Sequence, residues 1–294
     1  MKKIVLIVLL LLFINSCAKN LNINNSYSFP PFGTDSTLDI ITWNIQSFPK
    51  QQDITINYVA ELIDLMNVDI IAMQEIWGDG ASNSFENLKN KLNGWDGHRK
   101  SSGLAYLYKT EIEVSSISEI NELNDIIRTP YLLSIAWNEQ NIYVINNHFK
   151  AFSGTENEEE RKTASEKMEG YINEHLEDLN VIILGDLNDK LDDDESVNVF
   201  QNFINNSTNY KFVDMDIAYG SYINFSWPGW HHSTYGESHF DHILITNELF
   251  DEFENTGSTV QTIHIEDYFE EGWSDYEKYV SDHRPVGLRL VFDP

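Results

Sequence analysis

Cysteine is nearly missing from the chain: Cys17 is the only one in 294 residues, so no disulfide can close within it and no thiolate cluster can bind a soft metal. Basic residues are scarce as well. Nineteen lysines and arginines stand against 47 aspartates and glutamates, a formal charge of −28, which excludes a broad basic groove tracking a nucleic-acid backbone. Any site for a phosphate substrate must therefore supply its own positive charge, and bound divalent cations are one source. Internal repeats and a second linker are also absent, so the bulk of the chain reads as one large domain.

What is there begins with MKKIVLIVLLLLFINSC, in which Lys2 and Lys3 precede an apolar run from Ile4 to Ile14. That run is too short to span a bilayer and reads as a secretory signal. A small residue before a lone cysteine resembles a bacterial lipoprotein signal, which implies cleavage after residue 16 and lipidation of Cys17. The alternative is a soluble secreted protein with a chance cysteine at that position. The next stretch, AKNLNINNSYSFPPFGTDST, is rich in Asn, Ser and Pro without periodicity, and residues 17–37 read as a flexible tether. The expected location is the cell envelope, lipid-anchored and facing the periplasm or the outside. The folded domain is expected over 38–294, as a monomer with no protein partner inferred.

Within the domain, LDIITWNI from Leu38 reads as a strand reaching Asn44, and NYVAELIDLM as an amphipathic helix. VDIIAMQEI is a strand covered on both faces that ends at Glu75. Two more strands, GLAYLYK and YLLSIAW, lead to NIYVINNHFKA, which ends on Asn147 and His148. Thr155 and Glu158 have capping-box spacing. They open a helix with Ala164, Met168, Tyr171, Ile172 and Leu176 along one face. NVIILGDLND then finishes at Asp186 and Asn188, and a short helix holds Phe200, Phe203 and Ile204. Finally FDHILIT starts a strand at Asp241, and DHRPVGLRLVF starts one behind Asp282 and His283. The order of strands and helices is that of a layered α/β protein. Each polar strand end taken singly reads as a turn residue or helix cap. Six together are another matter, because burying so many polar groups costs free energy unless they hydrogen-bond, ionise together or hold a cation.

The segments TWNIQ, AMQEI, NNHFKA, ILGDLND, FDHILI and SDHRPV, in that order, resemble the endonuclease/exonuclease/phosphatase family, which includes deoxyribonuclease-I-like enzymes, abasic-site endonucleases, neutral sphingomyelinases and inositol-polyphosphate phosphatases. The resemblance runs from about Leu38 to Val291. It implies a four-layer αββα sandwich of two mainly antiparallel sheets and a site dependent on Mg²⁺ or Mn²⁺ at one edge. Carried over by motif, Glu75, Asn44 and Asp282 become the metal-binding residues. Asp186 orients or deprotonates the attacking water, and Asn188 positions the phosphate and that water. His283, held by Asp241, faces the phosphoryl oxygens together with His148. Hard oxygen ligands suit Mg²⁺ or Mn²⁺, and a carboxylate beside an imidazole favours its protonated, donating form.

Other polar residues read more plainly. Arg284 is expected outside the site in a surface ion pair, and His242 is also expected outside the site, a local turn role being one reading of it. His231, His232 and His239 match no tight zinc spacing and read as a polar loop. LDDDES lacks the glycine and spaced acids of a calcium loop and reads as a solvated turn. FSWPGWHHSTYG, with Trp227 and Trp230, is a loop packed by tryptophans over the site, a base-stacking surface or a membrane hairpin. The stretch GESHFDHIL carries no Arg beside Asp241, which argues against an inositol-polyphosphate headgroup. A nuclease acting on DNA or RNA is the first functional expectation. Hydrolysis of lipid or small-molecule phosphoesters is the second, and a binding module that kept the fold without the chemistry is the third.

Overall fold

A computed structural model describes residues 30–78, 80–229 and 236–293. The first sheet contains β1 (Leu38–Asn44), β2 (Ile70–Gln74), β3 (Trp95–Arg99), β4 (Ala105–Lys109), β11 (Thr259–Thr262) and β12 (Val286–Leu290), in the order β11-β12-β1-β2-β4-β3. The second contains β5 (Glu113–Glu119), β6 (Tyr131–Trp137), β7 (Gln140–His148), β8 (Asn180–Asp186), β9 (Tyr210–Phe212) and β10 (Asp241–Thr246), in the order β5-β6-β7-β8-β10-β9. Helices α1 (Asp53–Met66), α2 (Ala81–Lys89), α3 (Thr155–His175), α4 (Gln201–Ile204), α5 (Met215–Ala218), α6 (Phe250–Glu254) and α7 (Trp273–Tyr279) complete the chain. This is the expected four-layer sandwich. Two ladders, β1–β2 and β7–β8, are parallel and the other eight are antiparallel. A parallel pair needs a crossover, and α1 and α3 supply one each. No helix among the described residues is long and apolar enough to cross a membrane.

The continuous apolar runs follow from burial on both faces. In β1, Leu38 and Ile40 pack between the sheets with Ile182, Leu184, Ile243 and Leu288. Ile41 and Trp43 pack outward with Leu62, Ile63 and Met66 of α1. β8 behaves the same way: Ile182 and Leu184 face the inner core, whereas Val181 and Ile183 lie under Met168 and Ile172 of α3. Each such side chain contributes on the order of 1.5–3 kcal/mol by leaving water.

The same alternation explains where the polar residues go. Positions two apart share a face, so the inward series Leu38, Ile40, Thr42 ends on Asn44 and Ile182, Leu184 ends on Asp186. Ile142, Val144, Asn146 likewise ends on His148. β10 runs antiparallel to β8 with Asp241 opposite Asp186, and β7 pairs His148 with Asp186. β12 begins at Val286 opposite Thr42. The C-terminal ends of β1, β2, β7 and β8 and the starts of β10 and β12 therefore meet at one end of the sandwich. Gly185 permits this approach: its φ is +146°, and a Cβ there would lie 2.0 Å from the Asn147 carbonyl oxygen.

Several sequence expectations shift. Phe32 is buried against the first sheet, and the Gly33 N–H donates to the Met66 carbonyl at 2.9 Å, so residues 32–37, expected in the tether, pack on the domain instead. The Thr155–Glu158 capping box does not form. Gly154 caps α3 with no side-chain hydrogen bond, and its carbonyl accepts from the Glu158 backbone N–H at 3.0 Å. The signal segment and Cys17 lie outside the described residues.

Candidate active site

The polar row at the strand ends is bonded into one cluster around Asp186. Its Oδ2 accepts from Asn44 Nδ2 at 2.8 Å and lies 3.5 Å from His148 Nε2 and 3.9 Å from His283 Nε2. Its Oδ1 accepts from the Asn188 backbone N–H at 3.1 Å. Asn188 sits at φ +53°, a left-handed conformation that Asn tolerates, and its side-chain amide donates to the Phe149 carbonyl. His283 Nδ1 bonds Asp241 Oδ2 at 2.7 Å. Asn44 Nδ2 also lies 3.4 Å from Glu75 Oε1, while Glu75 Oε2 accepts from the Ser47 backbone N–H at 2.8 Å. Glu75 is itself strained, at φ +64°, as residues held for chemistry often are. Asp282 is buried, and its charge acts on both His283 and Lys50, the lysine that Glu75 also reaches. Each of the eight residues expected in the site is thus found at this rim.

Burial and mutual charge set the protonation states. Desolvation opposes a charge on His283, but Asp241 and then Asp186 outweigh it and push the imidazole up to about 10. Asp186 is pushed up to about 7, chiefly by burial, with Asp241 and Glu75 adding to the effect against His283. Burial, with Arg128 and His283 nearby, holds His148 well below the ordinary imidazole range. The two histidines therefore differ: His283 is a charged donor and His148 a neutral ring.

A divalent cation fits this arrangement. The buried Asp186, Asp241 and Asp282 and the half-buried Glu75 bring four carboxylates to one rim, with the Asn44 amide among them, and this is a hard-oxygen donor set. Asp241 Oδ1 and His148 Nδ1 are buried without a partner, so the cluster has bonding capacity that its own side chains leave unused.

Four neighbours escaped sequence reasoning. Arg128 stacks on Trp77 at 5.0 Å, and Trp77 stacks on His148 at 5.5 Å. The Arg128 guanidinium also donates to the carbonyls of His148 and Phe149. Only its place just before a strand distinguished it in the sequence. Ser281 Oγ donates to the Asn44 carbonyl and accepts from the His283 N–H. Behind the site, Asp214 binds His239 Nε2 at 3.0 Å and His242 Nδ1 at 2.6 Å.

That last group corrects one expectation, since His239 is buried rather than in a polar loop, while His242, expected outside the site, is a buried partner of Asp214. The three side chains are close enough to hold an ion, but their partners argue otherwise. His239 Nδ1 faces the Ser226 N–H at 3.2 Å, so Nε2 carries the proton and donates to Asp214. His242 faces an oxygen at each nitrogen, Asp214 Oδ2 and the Asp189 carbonyl, which favours the imidazolium. Neither imidazole keeps a lone pair for a metal. The raised pKa of His242, for which Asp214 outweighs burial, agrees.

Arg284 is a further correction. It is buried, not a surface residue: Nε bonds Glu266 at 2.7 Å, one Nη donates to the Ile223 and Phe225 carbonyls, and the guanidinium stacks on Trp273. Residues 191–196 form the expected turn, mostly exposed apart from Leu191 and Asp193. Trp227 is buried against Phe240, whereas Trp230, His231 and His232 lie outside the described residues.

The model of the Endonuclease/Exonuclease/phosphatase family matches residues 41–283. Among solved structures, D. rerio TDP2 complexed with single strand DNA product is 17% identical, with a TM-score of 0.66 over 87% of this chain and 99% of that one. The human Nocturnin catalytic domain with bound sulfate anion is 16% identical, TM-score 0.62, over 87% and 95%. The mannosyl-6-phosphatase Bt3783 of Bacteroides thetaiotaomicron is 14% identical, TM-score 0.60, over 87% and 100%. At these identities the likeness is one of fold. No curated protein matches the sequence.

Proposed function

Because the chain belongs to the endonuclease/exonuclease/phosphatase family, whose members are metal-dependent phosphoester hydrolases, we propose that it is a nuclease cleaving phosphodiesters of DNA or RNA by in-line attack of water. The observation that carries the reading is the setting of Asp186. This carboxylate is pushed up to about 7 and lies 3.9 Å from an imidazole pushed up to about 10, so a base poised near neutrality adjoins a charged acid.

Asn44, Glu75 and Asp282 would hold Mg²⁺ or Mn²⁺, which when bound neutralises phosphate charge and polarises the phosphoryl group. Asp186 takes the proton from the attacking water, oriented by Asn44 and by the backbone N–H of Asn188. Asn188 positions that water and the phosphate. His283, kept protonated and aligned by Asp241, donates to a phosphoryl oxygen as negative charge builds on it. His148, uncharged, contributes a neutral hydrogen bond at the phosphate. The metal and the imidazolium supply the positive charge that a chain with 47 acids and 19 bases otherwise lacks.

The same deficit favours a short footprint, a few nucleotides rather than a long groove. It also supports a second reading, hydrolysis of lipid or small-molecule phosphoesters. Release of acid-soluble nucleotides from DNA and RNA with Mg²⁺ or Mn²⁺, beside sphingomyelin and bis-p-nitrophenyl phosphate, separates them. Nucleotide release with no lipid turnover supports the nuclease, lipid turnover alone supports the second reading, and inertness toward all four with metal bound leaves a binding module. We also propose anchoring in a bacterial envelope through lipidated Cys17. Cys17→Ser is then expected in the soluble fraction, and continued membrane association would contradict it.

A further inference from the structure

The His283–Asp241 bond joins two sheets. Asp241 opens β10 in the second sheet, and His283 precedes β12 in the first. Apolar packing between the sheets has no directional preference, and the inter-sheet hydrogen bonds of Asn44 and Asn146 involve neither β10 nor β12, yet a 2.7 Å bond between an imidazole and a carboxylate requires registry well below an ångström. Something directional must set it.

We propose that Ser226 is the positioning residue that clamps this pair. Ser226 is fully buried and is bonded through every polar atom it has. Its Oγ accepts from the backbone N–H groups of Phe240 and Asp241 at 3.1 and 3.2 Å, which fixes the start of β10. Its carbonyl accepts from the Arg284 N–H at 2.7 Å, which fixes the residue next to His283. One residue thus holds both ends of an inter-sheet contact.

Ser226 is braced in turn from behind. Its N–H donates to His239 Nδ1, His239 Nε2 donates to Asp214 Oδ2, and Asp214 Oδ1 accepts from the Ile243 N–H at 3.0 Å. The chain of bonds returns to β10 two residues past Asp241, closing a loop of buried, directional contacts around the first turn of that strand. Ser281 provides a smaller counterpart on the first sheet, where its Oγ accepts from the His283 N–H and donates to the Asn44 carbonyl. Ser226 touches no substrate in this scheme. It acts by keeping Nδ1 of His283 on Asp241 so that Nε2 faces the phosphate.

Loss of the clamp should impair turnover more than binding, because a misplacement of about 1 Å at reacting groups costs on the order of 10²-fold in rate. The inference rests on the hydrolase reading for its kinetic arm, but not for its spectroscopic one. In the full chain, the strongly hydrogen-bonded Nδ1 proton of His283 is followed by ¹H NMR, assigned by its loss in His283→Gln, while kcat and KM are measured with Mg²⁺ on whichever substrate the wild type cleaves. Ser226→Ala is expected to shift or broaden that resonance and to lower kcat at least about ten-fold, with KM within about two-fold. Ser226→Thr, which keeps the hydroxyl, is expected to restore both. Ser226→Cys, nearly isosteric but a weak acceptor, should behave as the alanine variant does and decides the matter should that variant not fold. An unchanged resonance in both Ser226→Ala and Ser226→Cys, or a kcat within two-fold of wild type in either, overturns the proposal. A wild type inert toward every phosphoester would refute the hydrolase reading and leave the resonance to decide the clamp.

Discussion

Asp241→Asn isolates what the carboxylate does for His283. In the wild type, Asp241 is the largest influence favouring the charged imidazole, and it keeps His283 up to about 10, so the ring is protonated throughout the neutral range. An ordinary imidazole with a pKa of about 6.5 is charged in only about one molecule in ten near pH 7.5. Losing the charge therefore costs about ten-fold at that pH. The amide also offers Nδ1 an N–H as readily as an oxygen, so orientation suffers, at a further cost on the order of 10²-fold. The two effects together predict a fall of about 10³-fold in kcat near pH 7.5. They separate on a pH profile. Only the protonation part recovers on acidification, so the ratio of variant to wild-type rate should climb by about 25-fold from pH 8 to pH 6. Rates measured on bis-p-nitrophenyl phosphate at saturating Mg²⁺ give that ratio. A flat ratio would refute the assignment of His283 as a charged donor, and a variant rate near wild type would refute the role of Asp241.

Glu75→Gln keeps the side-chain shape and removes a charge, so Mg²⁺ affinity measured by calorimetry should fall at least about ten-fold; unchanged affinity would remove Glu75 from the metal site. Asn146 joins the two sheets below the polar rim, accepting from Gln74 Nε2 at 2.8 Å and donating to the Met73 and Ala105 carbonyls. Asn146→Leu strips those buried groups of a partner and should lower stability by about 2 kcal/mol, read from the urea midpoint. Equal or greater stability would show that the amides carry no net weight.

Much of this was legible because strands impose a two-residue period. Once Leu38–Ile40 and Ile182–Leu184 are assigned to the inner core, Asn44 and Asp186 must follow on the same faces, and motif spacing places them at the same end. The edge strands were harder to read. Glu113–Glu119 is largely exposed, with Val114 and Ile117 as its apolar contacts, so its composition resembles a loop. Trp95–Arg99 carries Asp, Gly, His and Arg in a five-residue strand. The buried support network was hidden for a different reason. Asp214, Ser226 and His239 belong to separate segments, and their burial depends on contacts across tens of residues that no local pattern records. Arg284 misled in the same way: a charged residue beside a proline usually faces solvent, but Glu266, two carbonyls and Trp273 here replace that solvent.

The central claim is that Asp186 activates water beside a bound dication, and a Mg²⁺ titration of phosphodiester hydrolysis tests it most directly, using chelator-stripped wild type and Asp186→Asn at equal concentration. The wild type should be inactive without metal and saturate with Mg²⁺, while Asp186→Asn remains folded and slower by at least about 10²-fold at saturation. Hydrolysis by Asp186→Asn at the wild-type rate, or wild-type activity indifferent to metal, would contradict the account.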